Sequence, residues 1–212
     1  MKIQLALDRL TKDECFQILN ETIDYIDLIE VGTGVIKEYG MAIIKKIKSA
    51  YPDKKLVADM KTCDAGASET TQAFEAGADI TTVMAFSSDE TIVDCLDVAN
   101  SYNKEVMIDL LGVTNPKKIV ELKSLGVELL SLHVGKDMQK SGETTNFNFD
   151  IIQNKQAFKI AVAGGINVNS LPQIAPYKPD IIIVGSSITK ADDKKAVASK
   201  MKGWITDYEN DH

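Results

Sequence analysis

Eight short apolar runs, opening near residues 2, 27, 55, 79, 105, 128, 158 and 180, recur along the chain, and each leads into a segment with apolar residues at helical spacing. The runs are rich in β-branched residues and suit parallel strands covered on both faces. Strand and helix alternating eight times predict an α/β fold. The expected form is a single (β/α)8 TIM barrel over residues 1–207 with a short polar tail at 208–212. A doubly wound sheet is the competing architecture. It would need a ligand crevice where the strand order reverses, and no G-x-G-x-x-G follows the first run.

Local signals agree with this alternation. Thr11-x-x-Glu14 and Ser87-x-x-Glu90 read as capping boxes, and Asn115 reads as an N-cap with Pro116 in the first helical position. Gly77 and Gly126 stand where a helix C-terminus turns left-handed. The turn Gly32-Thr33-Gly34 leads into a helix carrying Ile36, Ile43, Ile44 and Ile47 and closing near Pro52. The polar stretch from Gly135 to Asn148 is too long for a connector, so it reads as an active-site lid with Gly135 and Gly142 as hinges. Trp204, in the last helix, is expected against the barrel wall.

Composition excludes several function classes. A net charge of −7 argues against a nucleic-acid-binding surface, which needs a basic patch or stripe. The three cysteines, Cys15, Cys63 and Cys95, form no C-x-x-C pair and fit reduced thiols in the cytoplasm. No apolar run approaches the ~18 residues of a membrane helix, and no signal-peptide pattern opens the chain. The expectation is a soluble cytoplasmic protein.

In a barrel the C-terminal ends of the strands share one mouth, and that face carries the active site. Here those ends read Asp8, Glu30, Asp59 with Lys61, Asp109 and His133. Asp59 and Lys61, two apart on a strand, project from one face, and Asp64 follows in the turn. Each of these residues alone has a structural explanation, as a helix cap, a surface ion pair or a hydrogen-bonded histidine. Six ionisable groups converging on one rim do not. The glycine-rich turns after the seventh and eighth strands, Gly164-Gly165 and Gly185-Ser186, sit where many barrels bind phosphate through backbone N–H groups, although glycine serves tight turns equally well. Glu30 and Asp59, on adjacent strands, are placed to share a hard divalent ion. Mg²⁺ fits, because it commonly takes one or two carboxylates and fills its shell with water and substrate.

The stretches QLALD, DLIEVGT, DMKTCD, EAGADITTV, LHVGKD, AVAGGI, KPDIIIVGSSIT and ASKMK carry a resemblance along nearly the whole length. The chain resembles the hexulose phosphate synthase branch of the orotidine 5′-phosphate decarboxylase superfamily, whose D-x-K-x-x-D motif appears as DMKTCD. The resemblance implies a reversible, Mg²⁺-dependent aldol condensation of formaldehyde with ribulose 5-phosphate through an enediolate, in a homodimer with shared active sites. It implies Glu30 and Asp59 as metal ligands, Asp8, Lys61, Asp64 and Asp109 as substrate-contacting or catalytic groups, and His133 as an acid/base group. It leaves open whether His133 or Lys61 takes the substrate's C1 proton.

Three positions depart from relatives: Gly34 stands where many carry proline, and Ser186 and Lys136 stand where related decarboxylases carry arginine. Two readings compete. A 3-keto-L-gulonate-6-phosphate decarboxylase would pass through a similar enediolate. A non-catalytic sugar-phosphate-binding barrel would keep the glycine turns but would not need Asp59, Lys61 and His133 together.

Overall fold

All eight apolar runs form strands, and they close on themselves. The computed structural model describes residues 1–140, 147–152 and 154–211. In chain order the elements are β1 Lys2–Leu7, α1 Lys12–Thr22, β2 Leu28–Val31, α2 Thr33–Tyr39, α3 Met41–Ala50, β3 Lys55–Thr62, α4 Gly66–Glu75, β4 Ile80–Met84 and α5 Asp89–Tyr102. They continue with β5 Glu105–Asp109, α6 Pro116–Ser124, β6 Leu129–His133, α7 Lys136–Lys140, β7 Lys159–Ala163, α8 Leu171–Ile174, β8 Ile181–Val184, α9 Ser186–Thr189 and α10 Lys194–Asp211. Each strand pairs in parallel with its neighbours in sequence, and β8 closes on β1 from Lys2↔Ile181 to Leu5↔Val184. The barrel is the one the strand–helix alternation predicts.

Two apolar layers follow from the period-two alternation of strand side chains. Inside the barrel lie Leu28, Val57, Ile80, Met107, Leu129 and Ile181, with Ala6, Ala161, Ala163 and Ile183. Outward-facing residues such as Ile3, Leu5, Ile29, Leu56 and Ile108 pack under the helices with Leu19, Ile44, Ile92 and Met201. Each such fully buried Ile or Leu contributes about 2 kcal/mol. Trp204 packs on this outer layer as expected and stacks on Tyr208. Among the described residues, no helix is long and apolar enough to cross a membrane.

Several local expectations shift. The helix expected between Gly34 and Pro52 is two, α2 and α3, because Gly40 takes a left-handed conformation (φ 61°) and ends the first. The cap of α5 is Ser88, which accepts from the Thr91 N–H, while Ser87 turns inward to donate to the Thr62 carbonyl. The third strand reaches Thr62 rather than Asp59. The expected polar loop at 135–148 opens with the helix α7, and its far end is anchored by buried Phe147 and Phe149, the latter stacked on Tyr177. Gly142, expected as a hinge, lies outside the described residues. α10 runs through Asp211, so residues 208–211 are helical rather than a tail, and Glu209 pairs with the amino group of Met1.

Candidate active site

The strand ends bring four of the expected groups into one connected line. Lys61 Nζ lies 3.1 Å from Asp59 Oδ1 and 2.6 Å from Asp109 Oδ2. His133 Nδ1 closes on the same Asp109 carboxylate, 2.9 Å from Oδ2 and 3.1 Å from Oδ1. Barrel register explains the convergence. Asp109 pairs with Ser131, and His133 is one inward step further along β6, so it rises beside Asp109 at the mouth.

Asp59 and Lys61 face the interior together, although the backbone between them is irregular. Ala58 pairs with Thr81 and Thr62 with Val83, so β3 spends four residues where β4 spends two. Lys61 itself is left-handed (φ 49°), an uncommon state for a residue with a side chain, and Thr82 secures it by accepting its N–H at 2.9 Å. The same Thr82 hydroxyl donates to Asp59 Oδ1, and Thr33 donates to Asp59 Oδ2, both at 2.8 Å. Neither threonine stands out in the sequence. Thr33 lies between two glycines and Thr82 follows another threonine, and only the fold brings each beside Asp59.

Electrostatics follow from this crowding. Burial alone would lower the Lys61 ammonium's pKa, but the carboxylates of Asp59 and Asp109 more than offset it and hold it above the usual lysine value. Burial alone would raise Asp109, but its hydrogen bond to His133 and the nearby charges of His133 and Lys61 bring it down to about 2. Asp109 therefore stays ionised, and its second oxygen also accepts the Leu111 N–H at 2.9 Å.

Glu30 stands apart in chemistry. On the inner face of β2 it is one step below Asp59, since Glu30 pairs with Val57. Burial first, then the charge of Asp59, push its pKa well above the carboxylate range. Its hydrogen-bond partner is Gln4, whose Nε2 donates to Oε2 at 2.6 Å. Gln4 escaped the sequence reading, although a glutamine between apolar neighbours in the first strand was a visible signal. Among the described residues no group of three or more His, Cys, Asp and Glu is arranged to hold an ion. A metal here would rest on Glu30, Asp59, water and substrate, a donor set that suits a hard oxygen-seeking ion such as Mg²⁺ rather than zinc.

The remaining candidates are placed as follows. Asp8 sits at the rim, where Oδ1 accepts the Gly34 N–H at 2.9 Å and Oδ2 meets Arg9 Nε at 3.1 Å. A proline at position 34 would have no N–H for that bond. Asp64 is exposed, and its carboxylate caps the Ala65 N–H rather than approaching Lys61. The second acid beside Lys61 is thus Asp109, from 48 residues away, and not Asp64. Lys136 is exposed in the first turn of α7.

Gly164, Gly165, Gly185 and Ser186 line adjacent strand ends, but their glycines have different causes. A Cβ on Gly164 (φ 126°) would stand 2.4 Å from the Val134 carbonyl oxygen, so packing alone requires glycine there. Gly185 has no such neighbour, its nearest atom being 3.7 Å away, and Ser186 opens the short α9.

Comparison with known proteins agrees with this geometry. Residues 1–201 match the model of the orotidine 5′-phosphate decarboxylase / HUMPS family. The chain is 40% identical over 208 residues to a 3-hexulose-6-phosphate synthase of Bacillus subtilis, covering 97% of this chain and 99% of that one. The crystal structure of 3-hexulose-6-phosphate synthase from Salmonella typhimurium superposes with a TM-score of 0.93 at 36% identity, over 98% of this chain and all of the other. That of 3-keto-L-gulonate-6-phosphate decarboxylase from Vibrio cholerae gives 0.85 at 28%, over 98% of each. With a barrel of this topology and a family match over nearly all of its length, the chain belongs to the orotidine 5′-phosphate decarboxylase / HUMPS family.

Proposed function

We propose that the chain is a 3-hexulose-6-phosphate synthase, which adds formaldehyde reversibly to C1 of D-ribulose 5-phosphate. The observation that carries this reading is the sharing of Asp109 by Lys61 and His133. Asp109, fixed as a carboxylate, holds the proton of His133 on Nδ1 and leaves Nε2 as the basic nitrogen. Lys61, held protonated by two carboxylates, is a poor base and a good fixed cation. His133 therefore removes the C1 proton, and Lys61 faces the negative charge that develops on the enediolate. C1 then attacks formaldehyde, and the new alkoxide takes up a proton to give the 3-hexulose 6-phosphate.

Glu30 and Asp59 would hold Mg²⁺, which supplies Lewis acidity toward the substrate's carbonyl and hydroxyl oxygens. The phosphate end would rest on backbone N–H groups at Gly164, Gly165, Gly185 and Ser186, and Asp8 would meet a substrate hydroxyl at the rim. Asp64 is exposed and caps the Ala65 N–H rather than pairing with Lys61, which supports a homodimer in which it serves the partner's site.

A decarboxylase acting on 3-keto-L-gulonate 6-phosphate is the second reading, kept by one observation: a cation, Lys136, opens α7 three residues after His133. Assay of formaldehyde with ribulose 5-phosphate tests the proposal, with Mg²⁺ and after exhaustive chelation. Product formation that requires the metal, and that falls by orders of magnitude in Asp59→Asn, is the expected result. Full activity after chelation removes the metal from the mechanism, and absence of hexulose phosphate under all conditions removes the aldolase.

A further inference from the structure

The interior of the barrel holds a polar side chain, Gln4, that the mechanism has not used. Gln4 is 1% exposed, and its two strand neighbours in the same inner layer, Leu28 and Ile183, are apolar. Its Nε2 is bonded to Glu30, but its Oε1 is buried without a hydrogen-bond partner. Thr70 Oγ1 is the other such side-chain atom among the described residues. An unpaired buried carbonyl is costly, and leucine or methionine would fill the position without one. A chain selected for stability alone has no reason to keep glutamine here.

We infer that Gln4 is the positioning residue of Glu30: its amide fixes one carboxylate oxygen and leaves the other directed at the ligand, at the expense of an unsatisfied carbonyl beneath. This rests on the reading of Glu30 as a metal ligand. The two carboxylates are treated in opposite ways. Asp59 is held by Thr33, Thr82 and the charge of Lys61, whereas Glu30 has a single neutral donor. A lysine at position 4 would cancel the negative charge that attracts a cation, and serine or threonine would be too short to reach. Glutamine is long, neutral and a donor. Its amide orientation is dictated too, because turning it would set its carbonyl oxygen against the carboxylate. Register does the aiming: Gln4 lies one inner step below Glu30 on one side, and Asp59 one step above on the other.

The test compares wild type, Gln4→Met and Thr70→Val, each freed of metal by chelation, by thermal unfolding and by Mn²⁺ titration followed through the EPR signal of the free ion. Gln4→Met is expected to bind Mn²⁺ about ten-fold or more weakly, with only a small net change in unfolding temperature, since it removes the orphaned carbonyl but also takes the donor from Glu30. Thr70→Val relieves the same kind of orphan in α4 and is expected to leave Mn²⁺ affinity unchanged. Unaltered Mn²⁺ affinity in Gln4→Met overturns the assignment to Gln4 while leaving the metal reading intact. Equal weakening of Mn²⁺ binding in Thr70→Val makes the effect general loosening and overturns the inference. A wild-type chain that binds no Mn²⁺ removes the metal reading and this inference together.

Discussion

Lys61 Nζ stands 2.6 Å from Asp109 Oδ2, across 48 residues of sequence, and that contact joins the third strand to the fifth above the barrel's apolar interior. Because Asp109 is brought from 3.8 down to about 2 in the fold, its contribution is present above pH 3.8 and is lost as pH falls through 2. The stabilisation at neutral pH is on the order of 2 kcal/mol. Denaturant unfolding of wild type and Asp109→Asn should differ by that amount near pH 6 and converge toward pH 2. A gap that persists undiminished into acid would contradict the assignment.

Glu30 has the opposite sign. Its carboxyl is raised above its ordinary 4.5, so the folded chain resists ionisation, and stability declines as pH rises above that value. In metal-free protein, Glu30→Gln should therefore gain unfolding temperature relative to wild type from about pH 5 to pH 8 and be inactive. Parallel stability curves for the two proteins would show that Glu30 carries no such penalty.

The two glycine turns separate packing from phosphate binding. Gly164→Ala is expected to destabilise by about 3 kcal/mol or more, through left-handed strain and the clash with Val134. Gly185→Ala meets only ordinary contact with Ala6 and should cost about 1 kcal/mol or less, yet raise the KM for ribulose 5-phosphate. An unchanged KM in that variant would reduce the second turn to a connector.

Lys136 discriminates the two activities. A flexible ammonium does not reproduce the planar fork of an arginine, so Lys136→Ala should leave most of the aldol activity in place. Both reactions are to be measured on both proteins. A decarboxylation rate above the aldol rate, abolished by the substitution, would reverse the ranking of functions.

The proposed dimer is tested by mixing. Asp59→Asn and Asp64→Asn should each be nearly inactive, because every site lacks one group. Unfolded together and refolded, half of the dimers would be mixed, each with one intact site, so roughly a quarter of wild-type activity should return. Heterodimers that form without regaining activity would place Asp64 in its own chain's site.

What the sequence made legible was whatever depends on periodicity. Eight strand ends were countable, and with them Asp8, Glu30, Asp59, Lys61, Asp109 and His133 as inhabitants of one rim. Partnerships were not legible, because they depend on register between strands far apart. Asp64 lies nearer to Lys61 in sequence, yet Asp109 is the acid that reaches it. Thr33 and Thr82 were hidden for the same reason, each ordinary in its own segment and significant only beside Asp59, while Gln4, visible as a polar residue in an apolar strand, acquired its meaning only beside Glu30 on the next strand. Past His133, the helix α7 and the stacking of Phe149 on Tyr177 were not visible in the local pattern either.

The irregular passage in β3 has a consequence for how this barrel could lose or acquire chemistry. Between Ala58 and Thr62 the strand is two residues longer than its partner requires, and two is the period of a strand. Deleting Met60 and Lys61 together would restore an even ladder and keep every later residue facing the way it does now. It would also remove the cation assigned to the enediolate in the proposed reaction. On the proposed mechanism, an inert scaffold and a catalyst would thus be separated by a single in-frame insertion of two codons, placed where the ladder is already irregular.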